Sequence, residues 1–181
     1  MKQANNIVTP IPDTNIQVHL RATEPEDLDI LYKIENDDSL WNLGNTNVPY
    51  SKYVLHDYIA HATNDIYADK QARMIIENNK GNIVGIADII NFDPKNMKAE
   101  VGIVIRCEYR QNGYAFAAMQ KIINHALHIL HLHQLYVYVG EENKASIALF
   151  KKCGFLNTTV IRDWLYDGKG YHNALLMQLF L

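Results

Sequence analysis

The sequence predicts an α/β protein of the α+β kind, with a mixed and largely antiparallel sheet of about seven strands and about four helices. Three observations carry that expectation. Residues 73–105 hold three apolar runs separated by turn-forming residues, the pattern of an antiparallel meander. The third run, Val101-Gly102-Ile103-Val104-Ile105, leads through a loop with one glycine into a helical pattern, and a strand pattern followed by a helical one recurs over residues 134–152. Finally, 181 residues with 48% hydrophobic and 20% charged side chains suit one globular domain spanning 1–181, its first 15 residues a polar tail.

After that tail, which contains Pro10 and Pro12, Ile16-Gln17-Val18-His19-Leu20 alternates apolar and polar side chains as a half-buried strand does. Thr23-Glu24-Pro25-Glu26 offers an N-cap, early acids and an early proline, so a helix is expected to about Asn36. Leu28, Leu31 and Ile34 would face the core, leaving Glu26, Asp27, Asp29 and Lys33 in water. Residues 37–49 read as irregular and polar around a lone Trp41, and Ser51 caps a second helix to about His61, so two helices precede the main sheet. The meander itself is 74–77, a turn at 78–81, 83–90, a turn around 93–96, and 99–105. In the helix expected over 115–130, Ala115, Met119, Ile122, Ala126 and Ile129 form the buried stripe, with Lys121, His125 and His128 opposite. Residues 134–139 give the next strand and 143–152 the next helix, with Gly154 as its left-handed stop; two more strands follow from Phe155, turning near Asp167 and Gly168.

Composition narrows the function before any motif does. A net charge of −3 without a block of lysine or arginine argues against a nucleic-acid surface. Residues 1–15 lack the apolar core of a signal peptide and no later apolar run approaches about 18 residues, so the reading is a cytoplasmic protein with no membrane partner. Cys107 and Cys153 sit in apolar stretches without a C-x-x-C and fit a reduced pair better than a disulfide. His125, His128, His131 and His133 cluster in sequence, but the first two fall opposite the apolar stripe and no carboxylate or cysteine at ligand spacing joins them, so no metal site is expected.

The chemistry begins at the loop Arg110-Gln111-Asn112-Gly113-Tyr114-Ala115. A buried strand, a short loop and a helix start leave several backbone N–H groups unpaired and aimed one way, where the positive end of the helix dipole adds to them. Such a place suits phosphate. The loop has one glycine where dinucleotide loops have three, and it lacks the lysine of a P-loop, so neither NAD nor ATP is the expected ligand. Taken alone, such a loop is more often a helix start that binds nothing.

Order and motif together resemble a family. Residues 98–155 are similar to the central part of a GNAT acetyltransferase: Ala99-Glu100-Val101-Gly102-Ile103 opens a strand, Arg110-x-x-Gly113-x-Ala115 follows the R/Q-x-x-G-x-G/A loop, and Asn143-Lys144-Ala145-Ser146 precedes Phe150-Lys151-Lys152-Cys153-Gly154-Phe155. The likeness extends more loosely over 16–180 and is greatest to the branch of ribosomal-protein and spermidine N-acetyltransferases. It implies a GNAT fold with splayed central strands and acetyl-CoA as cosubstrate, without a metal. The diphosphate would lie on Arg110, Gln111, Asn112, Gly113, Tyr114 and Ala115, where a bulky residue in place of Gly113 would crowd it with little change in fold. The pantetheine arm would run between 101–105 and 135–139, past Ile103, Val104 and Ile105, and Asn143 and Phe150 would complete the cofactor site.

The implied reaction needs a neutral amine. With a pKa of about 10.4, a primary amine is mostly protonated at pH 7; losing the proton costs about 4–5 kcal/mol, roughly 3.4 units at about 1.36 kcal/mol each. The resemblance assigns the proton to Glu100, at the opening of the cofactor strand. Many relatives protonate the departing CoA thiolate with a tyrosine, but this chain has Phe150 there, and Ser146 matches a hydroxyl position of the ribosomal-protein branch. Ser146 and Asn143 also have plain roles available, as a small packing residue and an N-cap. The expected function is acetyl transfer to a primary amine of a small molecule or a protein N-terminus. Spermidine or another polyamine is the alternative: residues 44–50 hold no acid, though Glu35, Asp37 and Asp38 lie nearby in sequence. A CoA-binding module that has lost catalysis is the alternative of another class. The expected partners are the amine substrate and, as an open reading, a second copy of the chain.

Overall fold

The computed structural model describes residues 16–37 and 48–181. In chain order its elements are β1 (Val18–Ala22), α1 (Leu28–Glu35, entered through a 3-10 turn at Pro25–Asp27), α2 (Lys52–His61), the one-turn α3 (Ile66–Asp69), β2 (Ala72–Asn78), β3 (Ile83–Asp93) and β4 (Lys98–Ile105). A second 3-10 turn, Cys107–Tyr109, leads to α4 (Tyr114–His128), and β5 (Gln134–Gly140), α5 (Lys144–Lys152), β6 (Leu156–Tyr166) and β7 (Tyr171–Phe180) complete the chain. All seven strands join one sheet in the order β1-β2-β3-β4-β5-β7-β6, antiparallel at every pair but β4–β5. A parallel pair needs a crossover, and α4 supplies it.

That crossover explains where the core lies. Phe116, Ala118, Met119, Ile122 and Ala126 of α4 meet Ala99 and Val101 of β4, Leu135, Val137 and Val139 of β5, and Ile147 and Phe150 of α5. On the opposite face Ile34 of α1 packs on Ile75 and Ile86. Because successive side chains in a strand alternate faces, Glu100, Gly102 and Val104 of β4 and Tyr136 and Tyr138 of β5 point to the α1 side.

Several expectations are corrected by tertiary context. Asp27 is 3% exposed rather than solvated, gripped by Arg21 from Nη1 at 2.6 Å and Nη2 at 2.8 Å, and its carboxylate accepts the Glu24 amide at 2.8 Å. Ile129 is 64% exposed: the chain leaves the helical path there, and Leu130 and Leu132 take the core place instead. Among the described residues α3 adds a third helix ahead of the meander; capped by Asp65 and ended by a left-handed Lys70, it is too short to show a period. Cys107 is exposed, whereas Cys153 is buried, and both are free thiols. Trp41 and Asp38 lie outside the described residues. Among those residues no helix is long and apolar enough to cross a membrane, and no group of three or more His, Cys, Asp or Glu could hold a metal ion.

Candidate active site

Strands β4 and β5 are partners at Lys98–Gln134, Ala99–Leu135 and Glu100–Tyr136, and then part. The direction of the backbone groups beyond follows from the antiparallel ladders. Arg106 donates its amide to the Val84 carbonyl at 2.9 Å while Gly85 pairs with Ile105, so Val101, Ile103 and Ile105 turn their own backbone groups away from β3 and towards β5. On the other lip Glu141 donates to the Asn173 carbonyl at 3.1 Å and Gly140 pairs with Ala174, which by the same alternation turns Tyr138 and Gly140 towards β4. Two rows of backbone groups therefore face a wedge that an extended ligand can complete as an added strand. Ile103 and Ile105 pack their side chains on the α4 core and Val104 packs beside Ile75 and Ile86, so all three are held rigidly along one lip.

At the wide end of the wedge the chain passes through Arg106 to Gly113, the N-cap of α4. Gln111 has φ +60° and Gly113 φ +81°. This fold leaves the amides of Gln111, Asn112, Gly113, Tyr114, Ala115 and Phe116 without an acceptor among the described residues. Arg110 is pinned to the loop by its Nε, which donates to the Ile105 carbonyl at 2.9 Å, and Asn112 donates from Nδ2 to the Arg110 carbonyl at 3.0 Å. The open amides and the axis of a 15-residue helix together make an anion cradle. A β-carbon at Gly113 would lie 2.7 Å from Ile16 Cδ1, and a non-glycine residue at that φ is strained by about 1–2 kcal/mol. The expectation that a bulky residue there leaves the fold little changed is thus corrected.

Glu100 stands at the last β4–β5 pair, where the wedge opens. Its surroundings come from a bulge in β3: Ile90 pairs with Glu100 and Asp93 with Lys98, so Asn91 and Phe92 oppose the single residue Ala99. Phe92 takes the core side, and Asn91, at φ +51°, aims Nδ2 at Glu100 Oε2 at 2.8 Å. Burial raises the pKa of Glu100 above the usual carboxylate value, and the Asn91 hydrogen bond offsets part of that rise. A half-buried carboxylate of raised pKa is a better proton acceptor than a solvated one. Tyr136, its partner across the strands, is pushed up to about 12 by burial and by the Glu100 charge, and so remains a neutral phenol.

Across the wedge, Asn143 comes three residues after the end of β5 and caps α5. Its Oδ1 accepts the Ser146 amide at 3.0 Å, and its own amide donates to the Gly140 carbonyl at 2.9 Å. Ser146 is half-buried in the first turn of α5. Phe150, one turn on, is buried edge-to-face against Phe155 with ring centroids 5.2 Å apart. A cavity of about 330 Å³ elsewhere, lined by Tyr67, Met74, His125 and Leu130 among others, includes none of these residues.

Sequence reasoning missed Asn91, Tyr136, Tyr138, Trp164 and Arg73. Asn91 had a signal, a polar residue breaking the apolar run before Phe92, which marks a bulge. Arg73 had none. It donates from Nε to Asp88 Oδ1 at 2.8 Å and from Nη2 to Oδ2 at 3.1 Å, and its Nη1 bonds Glu35, so one guanidinium joins β2, β3 and α1 beneath the Tyr58 ring.

The model of the GNAT acetyltransferase domain matches residues 17–156 of this chain. The spermidine N(1)-acetyltransferase of Vibrio cholerae is 27% identical over 157 residues, 86% of this chain and 88% of its own length. A Bacillus subtilis protein, YdaF, named provisionally as a ribosomal N-acetyltransferase, is 28% identical over 172 residues, covering 91% of this chain and 92% of its own. The crystal structure of the Vibrio cholerae spermidine enzyme in complex with CoA and spermine superposes with a TM-score of 0.82 at 25% identity, covering 91% of this chain and 95% of that one. The family model's span takes in the strand pair, the amide-rich loop and the carboxylate at the vertex, and on these matches the chain belongs to the GNAT acetyltransferase family and is an acetyl-CoA-dependent N-acetyltransferase.

Proposed function

We propose that residues 1–181 form one catalytic domain in which Glu100 takes the proton of a primary amine as it attacks the thioester of acetyl-CoA. The observation that carries this reading is the place of Glu100, at the vertex where β4 and β5 part. The diphosphate lies on the loop amides beside Arg110, and the pantetheine arm bonds between Val101, Ile103 and Tyr138 as an added strand. Asn143, at the end of β5, holds the arm from the other lip, and Phe150 backs it. The amine nitrogen adds to the thioester carbonyl and yields a proton to Glu100, directly or through a water; the tetrahedral intermediate then collapses to the amide and expels the CoA thiolate. Ser146 gives that thiolate its proton and recovers one from solvent. Counted from the neutral amine, the net products are the acetylated amine and CoA; an ammonium substrate sheds one further proton to solvent before attack.

The acceptor class supported best is a small-molecule amine or a peptide N-terminus, and the protein works in the cytoplasm. The names of its relatives favour a polyamine as the second reading. Released thiol, followed across a panel of monoamines, polyamines and N-terminal peptides, tests the proposal; CoA binding without turnover on any of them would leave only the binding module. The outer strand β6 exposes Leu156, Val160 and Tyr166, a surface that suits a second copy of the chain. Light scattering showing a monomer at micromolar concentration would exclude that partner.

A further inference from the structure

We propose that Tyr138 and Trp164 form an aromatic wall for the acceptor, which selects a primary amine joined by a short arm to a flat ring over a polyamine. The inference rests on the reading of Glu100 as the base. On the α1 side of the sheet a row runs outward from that carboxylate. Tyr136 is the strand partner of Glu100; Tyr138, two residues on, meets it edge-to-face at 5.7 Å between ring centroids; and Trp164 lies 5.6 Å from Tyr138 at an interplanar angle of 34°. A register irregularity between Ile161 and Leu165 makes the last contact possible. It lets Leu165 cover Gly140, approaching within 3.2 Å of the place of its missing β-carbon, while Trp164 still turns to Tyr138. The indole is 54% exposed, so a broad ring is held in a fixed orientation with one side open to a ligand.

The carboxylates beside this row bond other groups of the protein. Asp88 and Glu35 share Arg73, and Asp93 is held by the amides of Lys95 and Asn96 and by the Asn96 side chain. Glu100 accepts the neutral Asn91 amide. Among the described residues the row leading away from Glu100 is made of neutral rings, where a polyamine laid along it needs further carboxylates at intervals. Two residues of strand carry the chain about 6–7 Å from Tyr136 to Tyr138. An ethyl arm spans that step, with the ammonium at Glu100 and the ring against Tyr138 and Trp164, where stacking favours it.

The test compares kcat/KM for 2-phenylethylamine, butylamine and spermidine. The aromatic amine is expected to exceed butylamine by about tenfold, from one well-made aromatic contact, and to exceed spermidine as well. Trp164→Ala, and independently Tyr138→Leu, should bring the ratio to butylamine towards one, and Trp164→Phe should keep most of it. Spermidine as the best substrate, or a ratio unmoved in folded Trp164→Ala and Tyr138→Leu, overturns the wall. Should no amine release thiol, the assignment of catalysis fails instead, and fluorescence then decides the wall separately: quenching by 2-phenylethylamine in the wild type that disappears in Trp164→Phe supports it, and no such quenching refutes it.

Discussion

Glu100 shows how one side chain is tuned by neighbours distant in sequence. Burial raises its pKa and the Asn91 amide, which bonds the charged form, restrains the rise. Asn91→Gly keeps a residue that tolerates the positive φ and removes the amide, so the acidic limb of the kcat/KM profile should move to higher pH; a limb that stays in place would mean Asn91 does not act on the base. Glu100→Gln should slow turnover by about a hundredfold or more near neutral pH and by less in alkali, where the amine loses its proton unaided. A profile of unchanged shape would reduce Glu100 to a structural role. Ser146→Ala is expected to lower kcat by roughly ten- to a thousandfold with CoA affinity nearly intact, because a proton donated in the transition state leaves ground-state binding alone. Full activity would show that the thiolate, with a thiol pKa near 8.5, departs unaided. At this scale the family resemblance pointed to Glu100, Ser146 and Asn143 as candidates. The groups that set their environment stayed hidden, since Asn91 reaches Glu100 only through a bulge and Trp164 reaches Tyr138 only across the β6–β7 register.

Elements were legible wherever local periodicity governs them. The meander, α2 with its Ser51 cap, the loop before α4 and the Gly154 stop were all readable, whereas one-turn α3 has no period to read. Asp27 was misread because its burial depends on Arg21, which belongs to a different element and itself bonds Glu77 of β2 at 2.7 Å. That ion pair fastens the start of α1 to β1 and β2. Burial raises the Asp27 pKa, but hydrogen bonds from Arg21 and the Glu24 amide outweigh it and the net shift is downward. A depressed folded pKa contributes stability above the unfolded value of about 3.9 and loses it as pH falls through the folded one. Asp27→Asn should therefore cost about 3 kcal/mol near pH 7 by leaving Arg21 with a buried neutral partner, and its denaturation midpoint should converge on the wild type in acid below the ordinary 3.8. A gap that persists there would assign the loss to packing. Gly113→Val should weaken CoA binding and lower stability together, which calorimetry and a thermal melt can read on the same sample; weakened binding with an unchanged melt would mean the loop tolerates the left-handed conformation.

For the molecule as a whole, the sheet comprises two blocks, β1–β4 and β5–β7, joined edge to edge through three residue pairs and otherwise through the apolar layer beneath α4. Saturation with CoA at about a hundred times Kd should add about 2.7 kcal/mol to stability and raise the melting temperature by several degrees, as expected for a chain of this size. An unshifted melt would contradict binding in the wedge. The short seam also means that the protein need not respond to stress as one cooperative body. Without ligand, amides of Ile103 and Tyr138 should exchange with deuterated water quickly, and the β5–β7 block should open in subglobal events at a lower free energy than the meander. Bound CoA would raise that opening energy towards the global value. The cell's supply of an activated acetyl donor would then set how far the chain behaves as a single folding unit, and a starved enzyme would meet proteases as two loosely coupled blocks.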